Sequence, residues 1–250
     1  MPIQKSDGIL LRRQDLRETS ILLTFYTRDF GKIKGIVRGV RGPRAIFGGG
    51  AYELFALDEI IFYERKGGEI FTISQCDLLN YFNPIRASLE KLSYASYIVE
   101  LLDSVTGLSD KNSEVFDLAL NSITLLAGHS SSRRVARIFE IKLLSLLGLM
   151  PNFAECANCG SAAGIQPRFS LRHGGLICKK CLNADRMAVS ILPGTVKFME
   201  HIRSSSFERA AMVKVSVDVG RELERLLRRY LDYHVERRLK TVQFIREIAP

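Results

Sequence analysis

The chain has 250 residues, 46% of them hydrophobic and 25% charged, with a formal net charge of +9. That length and apolar share support one large domain or two small ones, and they exclude a disordered chain or a peptide held only by cross-links. No apolar run approaches the 18 or so residues of a bilayer crossing, and the opening MPIQKSDGILLRRQD holds only Ile9, Leu10 and Leu11 in a row before two arginines, so a cytoplasmic protein is expected.

Charge is uneven along the chain. Lys and Arg outnumber Asp and Glu by 10 to 4 in residues 1–50 and by 17 to 9 in residues 156–250, and are outnumbered 9 to 14 between. Two basic zones around an acidic one suit a polyanionic partner, because clustered cations release counterions on meeting phosphates. Simple solubility is the alternative.

From Gly8 to Leu79 the pattern is that of strands: ILLRR, TSILLTFYT, GKIKGIVRGV, LFALDEIIFYE and EIFTISQCDLL. They are rich in β-branched and aromatic residues and are separated by turn signals at Arg28-Asp29-Phe30-Gly31, at the glycines between 42 and 50, and at Lys66-Gly67-Gly68-Glu69, which reads as a tight hairpin. Five short strands in this space predict a small closed barrel of the OB-fold type, with an SH3-like barrel as the competing architecture.

In the third strand, period two sets Lys32, Lys34 and Arg38 on one face and Ile33 and Val37 on the other. The basic run continues through Arg41 and Arg44 into a Gly- and Pro-containing loop. In an OB-fold the face of strands two and three is where single strands usually lie, so these five cations are candidate DNA contacts, joined by Arg12 and Arg13 of the first strand. A merely solvated charge run is the plain alternative. Aromatic partners for bases are less obvious, since Tyr26, Phe30 and Phe47 could equally be core.

After Asn83-Pro84 the apolar spacing changes to three and four, predicting helices over 85–105, 113–127 and 132–147. Leu89, Leu92, Tyr97 and Leu101 form one expected core stripe, and Ile138, Phe139, Ile141, Leu144 and Leu147 another. Gly148 and Pro151 stop the third helix. The expected division is a barrel at 1–80 and a helical domain at 81–250 with a ribbon inserted at 153–184.

That ribbon carries the most specific local signal. Cys156, Cys159, Cys178 and Cys181 form two C-x2-C pairs 18 residues apart, the spacing of a four-cysteine zinc site. Two intervening residues let both thiolates of a pair meet one ion from a single turn, and residues 167–177 read as a strand, a Gly174-Gly175 turn and a returning strand. Disulfides compete only in an oxidising compartment, and an iron–sulfur cluster is the other alternative. Four thiolates close the coordination shell, so one structural Zn2+ per chain is expected, with no open catalytic position. Cys76, alone in a strand, reads as a small buried hydrophobe.

The last 60 residues return to helix, one beginning near Pro193 and a longer one near Ser216 or Asp218. At about 100° per residue, Val219, Leu223, Leu226, Leu227 and Tyr230 share one side and Arg221, Arg225 and Arg228 the other, a second candidate DNA surface that competes with a plain solvated helix face.

Catalytic signatures are weak. Lys5-Ser6-Asp7-Gly8 matches the K-x-D-G of nucleotidyl transferases, but only four residues precede that lysine. His234-Val235-Glu236 follows the cysteines and lacks a Pro-Cys-x-x-Cys partner. Phosphate-loop, nucleophile-elbow and zinc-protease motifs are absent, so no enzyme and no small-molecule substrate are expected.

Taken together, GILLRR, the stretch from Thr27 to Arg41, Phe47-Gly48-Gly49, Leu54 to Phe62, the cysteine ribbon and RRYLDYHVERRLKT resemble the RecO family of bacterial recombination mediators, in the right order and over essentially the whole chain. The resemblance implies an N-terminal OB-fold and a helical domain with an inserted zinc ribbon. It implies binding of single- and double-stranded DNA, annealing of complementary strands, and cooperation with RecR in loading RecA onto strands coated by single-strand-binding protein (SSB). It implies association with the nucleoid and no catalysis. The SSB C-terminal tail, acidic and apolar, would need a cation beside an apolar groove, and Arg133, Arg134 and Arg137 at the start of the third helix are the candidates. A zinc-ribbon RNA-binding or ribosome-associated protein is the alternative reading.

Overall fold

A computed structural model describes residues 3–16, 19–40, 52–63, 69–164, 166–235 and 237–248. Its first part is a closed five-stranded barrel of β1 (Ile3–Leu16), β2 (Ser20–Thr27), β3 (Gly31–Val37), β4 (Leu57–Tyr63) and β5 (Ile70–Asn80), in the order β1-β2-β3-β5-β4. All pairings are antiparallel except the short β3–β5 contact, which closes the barrel in the OB-like manner. Alternation drives the closure: Leu10, Ile21, Leu23, Phe25, Ile33, Val37, Ile60, Phe62 and Ile73 all point inward and are fully or almost fully buried. The five expected strands are therefore present, with β1 starting six residues earlier than its apolar run. The glycine-rich segment and the turn between β4 and β5 fall outside the described residues.

The β2–β3 turn is shaped by Thr27, whose hydroxyl donates to the Gly31 carbonyl at 2.9 Å and accepts from the Phe30 amide at 3.1 Å. Gly31 has φ +65°, and a Cβ there would collide with the main chain of Asp110. Only glycine meets both demands.

The single helix expected over 85–105 is divided into α1 (Asn83–Arg86) and α2 (Leu89–Val105). Ser88 causes the break: it is extended, and its hydroxyl caps the Lys91 amide at 3.4 Å. Leu89 consequently leaves the expected core stripe and is 56% exposed, while Tyr97 and Leu101 are buried as expected. The helices α3 (Ser113–Ala127) and α4 (Ser132–Leu146) follow, the first capped by Asn112 through the Val115 amide at 3.1 Å. Beyond α4, Gly148 takes φ +70°, and the Leu149 amide returns to the Leu144 carbonyl at 2.8 Å.

The chain packs as two compact units, Met1–Ala136 with Leu239–Pro250, and Arg137–Arg238. By packing, therefore, α1, α2 and α3 go with the barrel. The last helix, α8 (Lys240–Ile248), joins them through Glu100 of α2, whose carboxylate accepts from the Lys240 and Thr241 amides at 2.9 Å each and from the Thr241 hydroxyl at 2.6 Å. An anionic side chain placed at a helix N-terminus satisfies orphan amides and opposes the helix dipole.

The second unit holds the ribbon sheet, β7-β6-β8, built from β6 (Arg168–Ser170), β7 (Gly175–Ile177) and β8 (Val189–Ser190). It also holds α5 (Pro193–Ser204), α6 (Phe207–Met212) and α7 (Val217–His234). Ser216 caps α7, where Leu223, Leu226, Leu227 and Tyr230 of the expected stripe are buried, Val219 is half-buried, and Leu231 is buried beside them. The expected ribbon hairpin is β6–β7, with β8 as a third strand the sequence pattern did not indicate.

Candidate nucleic-acid interface and metal centre

Register decides what the barrel shows to the outside. Arg12 is opposite Thr24, and Thr24 is opposite Lys34, so one cross-strand row runs Arg12–Thr24–Lys34 over β1, β2 and β3. A bulge between Leu10 and Arg12 sets this register. The next row is Gln14, Leu22 and Ile36, with Leu22 and Ile36 half-buried. Arg12 and Arg38 are exposed and Lys34 is half-exposed, and among the described residues none of the three has a carboxylate partner. Thr24 and Gln14 on this face were not singled out from the sequence, although the alternation in TSILLTFYT marks Thr24 as outward. Arg41 and Arg44 lie outside the described residues.

Lys32 corrects the expectation from period two. It has the outward parity of Lys34, yet it is only 8% exposed because the loop between α2 and α3 lies across this end of the face. Its ammonium donates to the Asp103 main-chain carbonyl at 2.7 Å and stands 3.4 Å from the Asp103 carboxylate, while its own carbonyl accepts from the Ser109 amide at 2.8 Å. The same loop claims Tyr26, whose hydroxyl donates to the Asn112 carbonyl at 3.3 Å. Arg28 beside it pairs with Asp117 at 2.8 Å and lies over the Phe116 ring. Lys32 is a fastening of helices to barrel and not a free cation.

The four ribbon cysteines converge. Their sulfurs all lie within 4.8 Å of one another, with Cys159 and Cys178 at 3.9 Å. A tetrahedral ion with metal–sulfur bonds of about 2.3 Å would hold its sulfurs about 3.8 Å apart, so the spacing suits a metal. The backbone is arranged for thiolates: the Cys178 amide donates to the Cys156 sulfur at 3.3 Å, and the Gly160 amide closes the first knuckle on the Cys156 carbonyl at 2.8 Å. Burial opposes ionisation of Cys156, but amides of Cys178, Asn158 and Cys159 outweigh it and bring this thiol down to about 6. Cys156 and Cys178 pack with Ile177 and Ala188 in a small apolar cluster, so the knuckles form the core of the ribbon.

Comparison with known proteins is decisive at this point. Residues 1–82 match the family profile "Recombination protein O N terminal" and residues 86–243 match "Recombination protein O C terminal". The chain belongs to the RecO family. Residues 83–85 lie between the two matches. Relatives named DNA repair protein RecO include those of Pelotomaculum thermopropionicum, 34% identical over 98% of this chain and 94% of the relative, and Desulforamulus reducens, 33% identical over the same shares. That of Moorella thermoacetica is 31% identical over 98% of this chain and 91% of the relative.

The remaining cations of this RecO-family chain differ in how free they are. Arg13 is exposed and stands 3.9 Å from Glu53. In α7, Arg221 and Arg225 are exposed but share an open groove with Leu192, Asp218, Glu222 and Glu224, so the expected basic stripe is interleaved with carboxylates. Arg228 is paired with Asp232 one turn on and is largely covered, which removes it from the exposed set. Arg133 and Arg134 are exposed at the start of α4. Arg137 is engaged at 2.9 Å with the fully buried Glu140, so its charge is committed inside the fold and does not face a partner as expected. Lys5 of the K-x-D-G match is on β1, its ammonium 2.8 Å from Glu59. Among the described residues, no helix is long and apolar enough to cross a membrane.

Proposed function

We propose that this protein is a non-catalytic DNA repair and recombination mediator that binds single- and double-stranded DNA, anneals complementary strands and, with RecR, helps load RecA onto SSB-coated single strands. The observation that carries the reading is the Arg12–Thr24–Lys34 row on the outer face of an OB-like barrel in a RecO-family chain. Phosphates would lie along Arg12, Lys34 and Arg38, and Arg41 and Arg44, which follow in sequence outside the described residues, are further candidate contacts. Arg13 at the barrel and Arg221 and Arg225 on α7 are secondary contacts. The barrel at 1–80 serves as the DNA-binding part and residues 81–250 as the partner-binding part, stiffened by the ribbon at 153–184.

In the ribbon, Cys156, Cys159, Cys178 and Cys181 would hold one Zn2+. Four thiolates at a single-ion separation support zinc over an iron–sulfur cluster, whose several iron atoms would spread the cysteines further apart. The ion would supply folding free energy and no open coordination position. For the SSB tail, Arg133 and Arg134 are the surface candidates, tested by the affinity of Arg133→Glu, Arg134→Glu for a tail peptide. The protein would work in the cytoplasm, on the nucleoid when bound to DNA.

The test is annealing of SSB-coated complementary oligonucleotides beside binding to matched DNA and RNA strands. Accelerated annealing with a preference for DNA supports the proposal. No acceleration, or a preference for RNA, overturns it.

A further inference from the structure

Barrels that hold single strands through this face commonly add aromatic side chains on which the bases stack. Among the described residues, the barrel spends its aromatic side chains elsewhere. Phe25 and Phe62 fill the interior, and Phe30 packs edge-on against Phe62 at 5.2 Å between ring centroids. Phe71 meets Phe62 from another side at 5.1 Å. Tyr26 does have outward parity, but the loop between α2 and α3 covers it. What the open face presents instead is two cations, the exposed Arg12 and the half-exposed Lys34, on either side of the buried Thr24, beside an aliphatic row of Leu22 and Ile36. Tyr63, half-buried on β4, is opposite Ile3, nine residues along β1 from Arg12.

We infer that the outer face of β1–β2–β3 holds a nucleic-acid strand by its phosphate backbone alone and leaves the bases unstacked and open to pairing. The inference rests on the proposal that this face is the DNA surface, and it specifies how the strand lies. Cations spaced along a row meet phosphates irrespective of base. Branched aliphatic side chains half-sunk between them give bases no flat platform. A strand presented in this way keeps its hydrogen-bonding edges available, which is what joining it to a complement requires.

The experiment measures binding of the full chain to an oligothymidylate and to an abasic strand of the same length and charge, at one salt concentration, with an Arg12→Ala, Lys34→Ala variant in parallel. Expected are affinities for the two strands within about twofold, both weakened in the variant, and thymines that stay reactive to permanganate when bound. Stacking of only two bases would cost the abasic strand roughly thirtyfold, so a loss of tenfold or more on removing the bases overturns the inference while leaving the DNA surface in place. That readout also captures stacking by Phe47, which lies outside the described residues. Equal binding of both strands that the variant fails to weaken overturns the surface itself, and the inference with it. Both substituted side chains lie on the outer face, and unchanged circular dichroism confirms that the variant is folded.

Discussion

Lys32 and Asp103 are joined across 71 residues of sequence by one ammonium that donates to the Asp103 main-chain carbonyl at 2.7 Å and stands 3.4 Å from its carboxylate. The contact separates two lysines that alternation alone makes equivalent. Lys32→Ala should cost about 2 kcal/mol of stability, the worth of a covered hydrogen bond to a charged group, and leave the salt dependence of DNA binding unchanged. Lys34→Ala should do the reverse. Denaturant midpoints beside binding isotherms for the two variants check this, and a Lys32 variant with full stability and weakened DNA binding would contradict it.

Salt dependence gives a count of phosphate contacts. Each one on a single strand adds roughly 0.7 to the slope of log affinity against log salt. Replacing Arg12, Lys34 and Arg38 together by Ala should therefore flatten that slope by up to about 2. An unchanged slope would move the DNA path toward Arg221 and Arg225.

Metal content tests the ribbon. Purified protein should carry about one zinc per chain, and Cys178→Ser should lose it and unfold at least the ribbon, because the cysteines are also its core. Retention of the metal by Cys156→Ser, Cys178→Ser would sink the four-thiolate site.

Asp58 makes stability depend on pH. It is fully buried in the barrel, and neither of its carboxylate oxygens has a hydrogen-bond partner. Burial raises it from 3.8 to about 7, against the opposing pull of Arg86. The folded state thus binds a proton that the unfolded chain releases. The stabilisation is full below about pH 4, is lost as pH rises toward 7, and is flat above, with a total on the order of 4 kcal/mol. Asp58→Asn should abolish this decline, read from urea midpoints between pH 4 and 8. A decline of the same size in the variant would assign it to other groups.

At the end of the chain, Glu100→Gln should weaken the cap on α8 by about 1 kcal/mol. Hydrogen exchange would show it as several-fold faster exchange confined to α8 amides. Slower or unchanged exchange there would mean that apolar packing alone holds the helix.

How much of this was legible in sequence depends on how far the determining contact lies along the chain. The cysteine pairs and the five strands declare themselves within a few residues, through C-x2-C spacing and alternation. Lys32 does not, because the loop that covers it arrives from more than 70 residues away. Leu89 was misplaced by helical periodicity because one serine stops α1 and restarts α2. Asp58 was missed although a signal was present: it shares the inward parity of Ile60 and Phe62 in LFALDEIIFYE. Helix α8 is short and carries charges at several positions, and what places it is a carboxylate 140 residues earlier.

The return of α8 to the first unit makes residues 137–238 an excursion with both ends moored in the same body. Holding the ends of a loose loop of that size together costs (3/2)RT ln n, about 4 kcal/mol, before any constant. The moorings at Glu100 thus work against a loose tether whenever the second unit is unfolded. Shortening the chain at residue 238 would look like trimming a tail, but it would take a strut from the body that carries the barrel.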